Sequence, residues 1–229
     1  MRITQKRIIT LILALSILTA MMPVAAANQD SYQNWKQYDP RWGSVVLTNK
    51  TMKQVGCLAT SVAMLAVRAG LRGGDCFDPG VFACEMKKAG GFNWDDDLVW
   101  EAIPKAVPGL TAETPWARLD GAQAEKTAQL KGYLDKGYQV AVAVKHGGHW
   151  VALRSVAGGR AVMMDPGSTA TDLFAKYPAA GVTRVALLRA DESLKPKEES
   201  TMTESVVQFL KDMGSLLLEI FKYFYSLGK

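Results

Sequence analysis

Histidine and cysteine are scarce in this chain, with two of the first and three of the second among 229 residues. His146 and His149 flank a Gly-Gly pair with no cysteine beside them, so zinc-ligand spacing is absent and no metal or cofactor is expected. A chain of this length and hydrophobic content is not a disulfide-stapled miniprotein. Internal repeats at a solenoid period are lacking as well. Asp95-Asp96-Asp97 lacks the spaced oxygen ligands and loop glycine of a calcium-binding EF-hand, and reads instead as the acidic start of a helix. Acidic residues are missing altogether from Met1 to Ala27.

What occupies that acid-free stretch is a basic start (Arg2, Lys6, Arg7), an uncharged and mostly apolar run from Ile8 to Met22, and small residues at Ala25-Ala26-Ala27. Together these read as a secretory signal peptide over 1–27, with an apolar run short for a spanning helix. The expected location is therefore outside the bacterial cytoplasmic membrane, secreted or bound to the cell envelope. The segment carries +3 of the net charge of +5. The near-neutral remainder holds no Lys/Arg cluster with interleaved aromatics, so nucleic acid is not an expected partner. With 48% hydrophobic residues the chain can bury one substantial core, which excludes a disordered chain, and a polytopic membrane protein is excluded too.

Residues 28–190 are even in composition and predict one body. Residues 191–200 (DESLKPKEES) are charged and contain proline, the composition of a solvated linker. In 201–229, Val206, Leu210, Met213, Leu217, Ile220, Phe224 and Leu227 recur at steps of four and three, which predicts an amphipathic helix. Within the body, helices are predicted after Cys57 to Gly70, from Asp78-Pro79 through Lys88, from Asp95–Asp97 onward, and over Gln123–Asp135. Strands follow at Gln139–Lys145, His149–Val156, Arg160–Met164 and Val182–Leu188. Helices first and antiparallel strands second predict an α+β domain.

Cys57 follows Gly56 at the expected start of a helix, where exposed N–H groups and the helix dipole favour thiolate over thiol. His149 opens a strand that can aim its ring, and Asp165 ends the next strand, where a group bonding that imidazole belongs. A thiolate to attack a carbonyl, an imidazole to hold and return a proton, and a carboxylate to fix the tautomer make a Cys-His-Asp triad. Trp150, beside the base, is a candidate for shielding it from water. Cys76 and Cys84 remain, either paired as a disulfide or as two separate thiols.

The segments WKQYDPRWGSVVLTNKTMKQVGCLATSVAML, GHWVAL and MDPG resemble the papain-like cysteine peptidases of family thirty-nine, in their stand-alone peptidase-like branch rather than the transporter-fused bacteriocin-leader peptidases. The resemblance spans about Tyr32 to Leu188. It implies a papain-like fold, with Cys57 as nucleophile, His149 as base, Asp165 as orienter, and Gln37 as the glutamine that helps form the oxyanion hole. Gln54, three residues before the cysteine, is a competing oxyanion donor. Leu58 departs from the glycine or other small residue that many relatives carry after the nucleophile.

The expected function is thus an exported cysteine peptidase or amide hydrolase acting on a peptide or protein through an acyl-enzyme thioester. Other readings are a cell-wall peptide (peptidoglycan) hydrolase or an acyltransferase on the same triad. A further one is a non-catalytic binding module that keeps the fold, with the C-terminal helix as its interface. That helix is expected to dock on the body, self-associate, or contact a protein or membrane partner. The net charge of −2 over 191–229 disfavours simple adsorption to an anionic membrane.

Overall fold

The alternation in Gln139–Val144 (QVAVAV) sets the architecture. Successive strand side chains point to opposite faces, so Val140, Val142 and Val144 line one face and Ala141 and Ala143 the other, and all five are buried. Such a strand needs a layer on both sides. In the computed structural model, which describes residues 31–73, 76–195 and 211–214, it has them. The expected signal peptide, residues 196–200 of the linker, and the C-terminal helix apart from 211–214 lie outside the described residues.

Five strands, β1 (Leu110–Arg118), β2 (Gln139–Val144), β3 (His149–Ala157), β4 (Arg160–Met164) and β5 (Arg184–Ala190), form one sheet in the order β1-β5-β2-β3-β4. Every neighbouring pair is antiparallel. The helices are α1 (Met52–Val55), α2 (Cys57–Arg68), α3 (Pro79–Lys88), α4 (Ile103–Ala106), α5 (Gln123–Asp135) and α6 (Leu173–Lys176). The fold is mixed α+β around an antiparallel sheet.

The two faces of the sheet differ in side-chain size. Ala141, Ala143, Ala152 and Ala186 share a core with Val62, Ala63, Leu65 and Ala66 of α2 and with Phe82 and Met86 of α3. Small residues on both sides let α2 lie close to the strands, and Ser61 Oγ donates to the Trp150 carbonyl at 3.2 Å. On the other face Val140, Val142, Val151, Leu153 and Val185 pack with Leu130 of α5, Leu173 of α6 and Tyr177. The chain enters α2 through Gly56, where a Cβ would lie 2.5 Å from the Met52 carbonyl oxygen. Only glycine permits so tight a joint between α1 and the helix that begins with Cys57. Asp78 caps α3 as expected, accepting from Val81 N at 2.8 Å.

Three sequence expectations fail for identifiable reasons. The acidic run Asp95–Asp97 starts no helix. Asp96 takes a left-handed φ of 67° and turns its carboxylate back onto the backbone N–H groups of Thr48, Asn49 and Lys50. That side-chain capture of backbone competes with helix formation, and a 3-10 turn at Trp100–Ala102 leads into α4 instead. β1 is absent from the sequence reading because Pro115, Thr111 and Thr114 give it no alternating apolar pattern. It lies at the sheet edge, where proline is tolerated, with register shifts on either side of Thr114. Residues 191–194 belong to the body rather than to a solvated linker: Asp191 N donates to the Gly109 carbonyl at 2.8 Å, and Glu192–Leu194 make a 3-10 turn. The compact unit ends at Leu194.

Candidate active site

Three element ends supply the triad residues. Cys57 is the first residue of α2 and is half-buried. His149 is the first residue of β3, opposite Val144 of β2, and is 9% exposed. The turn before it holds Lys145 and His146 at φ of 52° and 57°, a left-handed pair of non-glycine residues of the kind that concentrates at functional sites. Asp165 follows β4, and the pairing of Ala152 with Met164 sets it level with the start of β3.

Asp165 is fully enclosed and uses both carboxylate oxygens. Oδ1 lies 2.8 Å from His149 Nε2 and accepts from Gly167 N at 2.7 Å. Oδ2 accepts from Ser168 Oγ and from the Tyr177 hydroxyl, each at 2.6 Å. Burial alone would raise its pKa, yet these bonds outweigh it and hold the carboxyl well below the usual range. An ionised carboxylate only accepts, so His149 Nε2 carries a hydrogen and Nδ1 is the ring nitrogen left to exchange a proton with Cys57, which is near enough to raise the imidazole's pKa. Burial disfavours the imidazolium, but the bond to Asp165, the bond to Cys57 and their negative charges lift His149 to about 9. Burial and its bond to Asp165 push the Tyr177 phenol well above its ordinary value, so it stays a donor.

Gly167 closes the ring's edge. A Cβ there would lie 3.0 Å from His149 Cε1 and Nε2 and 3.3 Å from Asp165 Oδ1. The segment before α1 straps the turn in place: Lys36 Nζ donates to the Asp165 carbonyl at 2.8 Å, and Gln37 N to the Pro166 carbonyl at 3.0 Å. Gln37 Nε2 in turn donates to the Lys53 carbonyl in α1, at 3.0 Å. The residue thus spans from the base's turn to the helix that leads into Cys57, and its amide has a second N–H. Gln54 Oε1 accepts from Thr51 N at 2.9 Å and Thr51 Oγ1 at 3.0 Å, capping α1. Those bonds use the oxygen and leave the Gln54 amide N–H groups, so both glutamines stand as oxyanion candidates.

Cys76 and Cys84 are free and exposed, so the disulfide alternative gives way to two separate thiols. Trp150 is buried and meets Trp100 and Trp116 edge to face, at centroid separations of 6.2 and 5.9 Å. Among the described residues no group of three or more His, Cys, Asp or Glu could hold a metal ion, and no helix is long and apolar enough to cross a membrane. Sequence reasoning missed Ser168, Tyr177, Gly167 and Lys36. Ser168, three residues after Asp165 in a turn sequence, carried a readable signal; Tyr177, twelve residues on, carried none. No family model, no curated protein and no solved structure matches the chain.

Proposed function

We propose that the chain is an exported cysteine hydrolase of the papain-like type that cleaves peptide or amide bonds through an acyl-enzyme thioester. The observation that carries this reading is the Asp165 carboxylate bonded to His149 Nε2 at 2.8 Å, with the Cys57 sulfur, at a helix N-terminus, near enough to act on the same ring. The resemblance of the three sequence segments to family thirty-nine, and the basic-apolar-small order of 1–27, support the fold type and the export.

In the first half-reaction the Cys57 sulfur adds to the substrate carbonyl. Negative charge moves to the carbonyl oxygen, where the Cys57 N–H and a side-chain amide, that of Gln37 or of Gln54, are the donors. His149 passes its Nδ1 proton to the amine as the C–N bond breaks, leaving a thioester. Water then attacks the thioester, giving a proton to His149 while the sulfur departs as thiolate. Asp165 keeps its charge throughout and stabilises the imidazolium in each half.

Iodoacetamide labelling at neutral pH, together with hydrolysis of a mixed peptide pool, tests this. Cys57 should alkylate faster than the exposed Cys76 and Cys84, and Cys57→Ala should lower hydrolysis by about 10⁴-fold or more. Equal alkylation rates at all three cysteines, with Cys57→Ala still fully hydrolytic, would overturn the mechanism.

A further inference from the structure

Beside the nucleophile's face of the sheet stands a cation without an acid. Arg184 of β5 is in register with Ala143 of β2, and Ala143 with Trp150 of β3. Paired residues share a face, so the three side chains form one row on the face that packs against α2. Ala143 is small enough for the outer two to meet over it. The Arg184 guanidinium carbon lies 5.8 Å from the Trp150 ring centroid and 4.6 Å from that of Trp116, which is 55% exposed. Behind it runs the loop of the base, where a Cβ on Gly147 would lie 2.9 Å from Arg184 Nη2.

Arg184 and Trp116 also line a cavity of about 490 Å³, together with Arg118, Lys126 and Thr183. The other two cations are satisfied. Arg118 pairs with Asp120 at 2.6 Å, and Lys126 Nζ donates to the carbonyls of Ala179 and Val182 at 2.9 and 2.6 Å. Arg184, among the described residues, has no ion pair, and its buried Nε has no hydrogen-bond partner. A buried donor left unmade is costly, and two indole faces fix the plane of the guanidinium. A planar, pre-oriented fork with open donors is the geometry that accepts a carboxylate bidentately. It adjoins the segment of the base: Gly147 and Trp150, which both border the guanidinium, stand two residues before and one after His149, and the Trp150 carbonyl accepts from Ser61, one turn after Cys57.

We infer that Arg184, held between Trp116 and Trp150, receives a carboxylate of the substrate, so that the site acts on acidic peptides. This deepens the hydrolase reading and rests on it for turnover, though not for binding. The carboxylate comes either from an acidic side chain or from a free C-terminus, and four probes separate the two sources. They are an acetylated pentapeptide with a central Glu and its Gln counterpart, each with a free and an amidated C-terminus.

Binding is read by tryptophan fluorescence, and occupancy of the site by protection of Cys57 from iodoacetamide. Peptides with the favoured carboxylate should bind about tenfold more tightly than those without it, the scale of a charge-assisted bidentate bond. In Arg184→Gln that preference should fall to about one. Arg184→Lys, which keeps the charge but not the fork, should retain only part of it, so the inference remains testable if the glutamine variant folds poorly. Equal binding of all four peptides to the unaltered protein, no binding of any, or an unchanged preference in both variants would overturn it. Carboxylate-selective fluorescence changes in a protein whose Cys57 resists alkylation would sink the hydrolase reading and leave the binding site standing.

Discussion

Asp96 and Asp165 are both buried, both lie in turns, and both are held below the usual carboxylate range against the opposing effect of burial. Their partners differ in kind. Asp96 gathers the backbone N–H groups of Thr48 and Asn49 at 2.7 Å and of Lys50 at 3.1 Å, all on one oxygen. Asp165 spends one oxygen on an imidazole and an amide and the other on two hydroxyls. Asp96 can only pin two loops together, because amides have no second protonation state to offer at neutral pH. Asp165 touches a ring that gains and loses a proton, so its charge is transmitted to the sulfur. Burial and a lowered pKa thus mark both residues, and the titratable partner alone separates a positioning carboxylate from a structural one.

Asparagine at each position breaks the comparison most sharply. Asp165→Asn should lower kcat by about 10³–10⁴-fold, since a neutral amide neither fixes the tautomer nor stabilises the imidazolium. Asp96→Asn should leave kcat and KM near their starting values and lower Tm instead, as the Thr48–Lys50 amides lose a charged acceptor. Steady-state kinetics and thermal melts on the same two preparations decide it. Comparable kinetic losses in both would mean that the two carboxylates do one kind of work.

The pH profile sharpens the contrast. His149 is raised to about 9 from an ordinary 6.5, so its imidazolium is present below that pH and lost as pH rises through it. Activity should therefore fall on an alkaline limb near 9, as the leaving amine loses its acid. The stability His149 contributes is complete below 6.5 and declines as pH climbs to 9. In Asp96→Asn the limb should stay in place; in Asp165→Asn whatever activity survives should show it displaced toward 6.5. A limb that both variants leave unmoved would separate it from the His149–Asp165 bond.

A smaller effect is expected at Gly167, whose missing side chain lets the turn pass over the ring. Gly167→Ala places a methyl 3.0 Å from two ring atoms of His149, so the ring or the turn must give by a few tenths of an ångström. About a tenfold loss in kcat with KM little changed should follow, because the displacement misaligns the base rather than the substrate. A rise in KM alone would place the methyl's effect in substrate binding.

The part of this site legible in sequence is the part built from element ends. Cys57 after a glycine, His149 opening a strand and Asp165 closing one are all local signals, and α2, α3 and α5 begin and end where their caps and apolar patterns place them. What the sequence hid comes from distant chain. An acidic triplet reads as a helix start until the loop at 48–50 arrives to be captured by Asp96. β1 reads as a polar loop because its structure comes from pairing with β5, a strand far along the chain whose Leu188 is the partner of Ala112. Lys36, Tyr177 and Arg184 likewise have roles only once the sheet has brought them to the site.

Tyr177→Phe is the mildest test of the comparison. The hydroxyl gives Asp165 Oδ2 one of its two donors at 2.6 Å, and Ser168 Oγ supplies the other at the same distance. Losing one of two neutral donors takes about 1 kcal/mol from the carboxylate's own stabilisation, which bounds the change in kcat at about fivefold. The phenylalanine ring keeps the apolar packing of Tyr177 against the valine and leucine face, so Tm should change little. The alkaline limb should move slightly upward, because a carboxylate with fewer donors holds more of its charge for His149. A limb moving down with Tyr177→Phe would mean that the hydroxyl acts on the ring directly, across the 6.2 Å between their centroids, rather than through the carboxylate that distinguishes this site from Asp96.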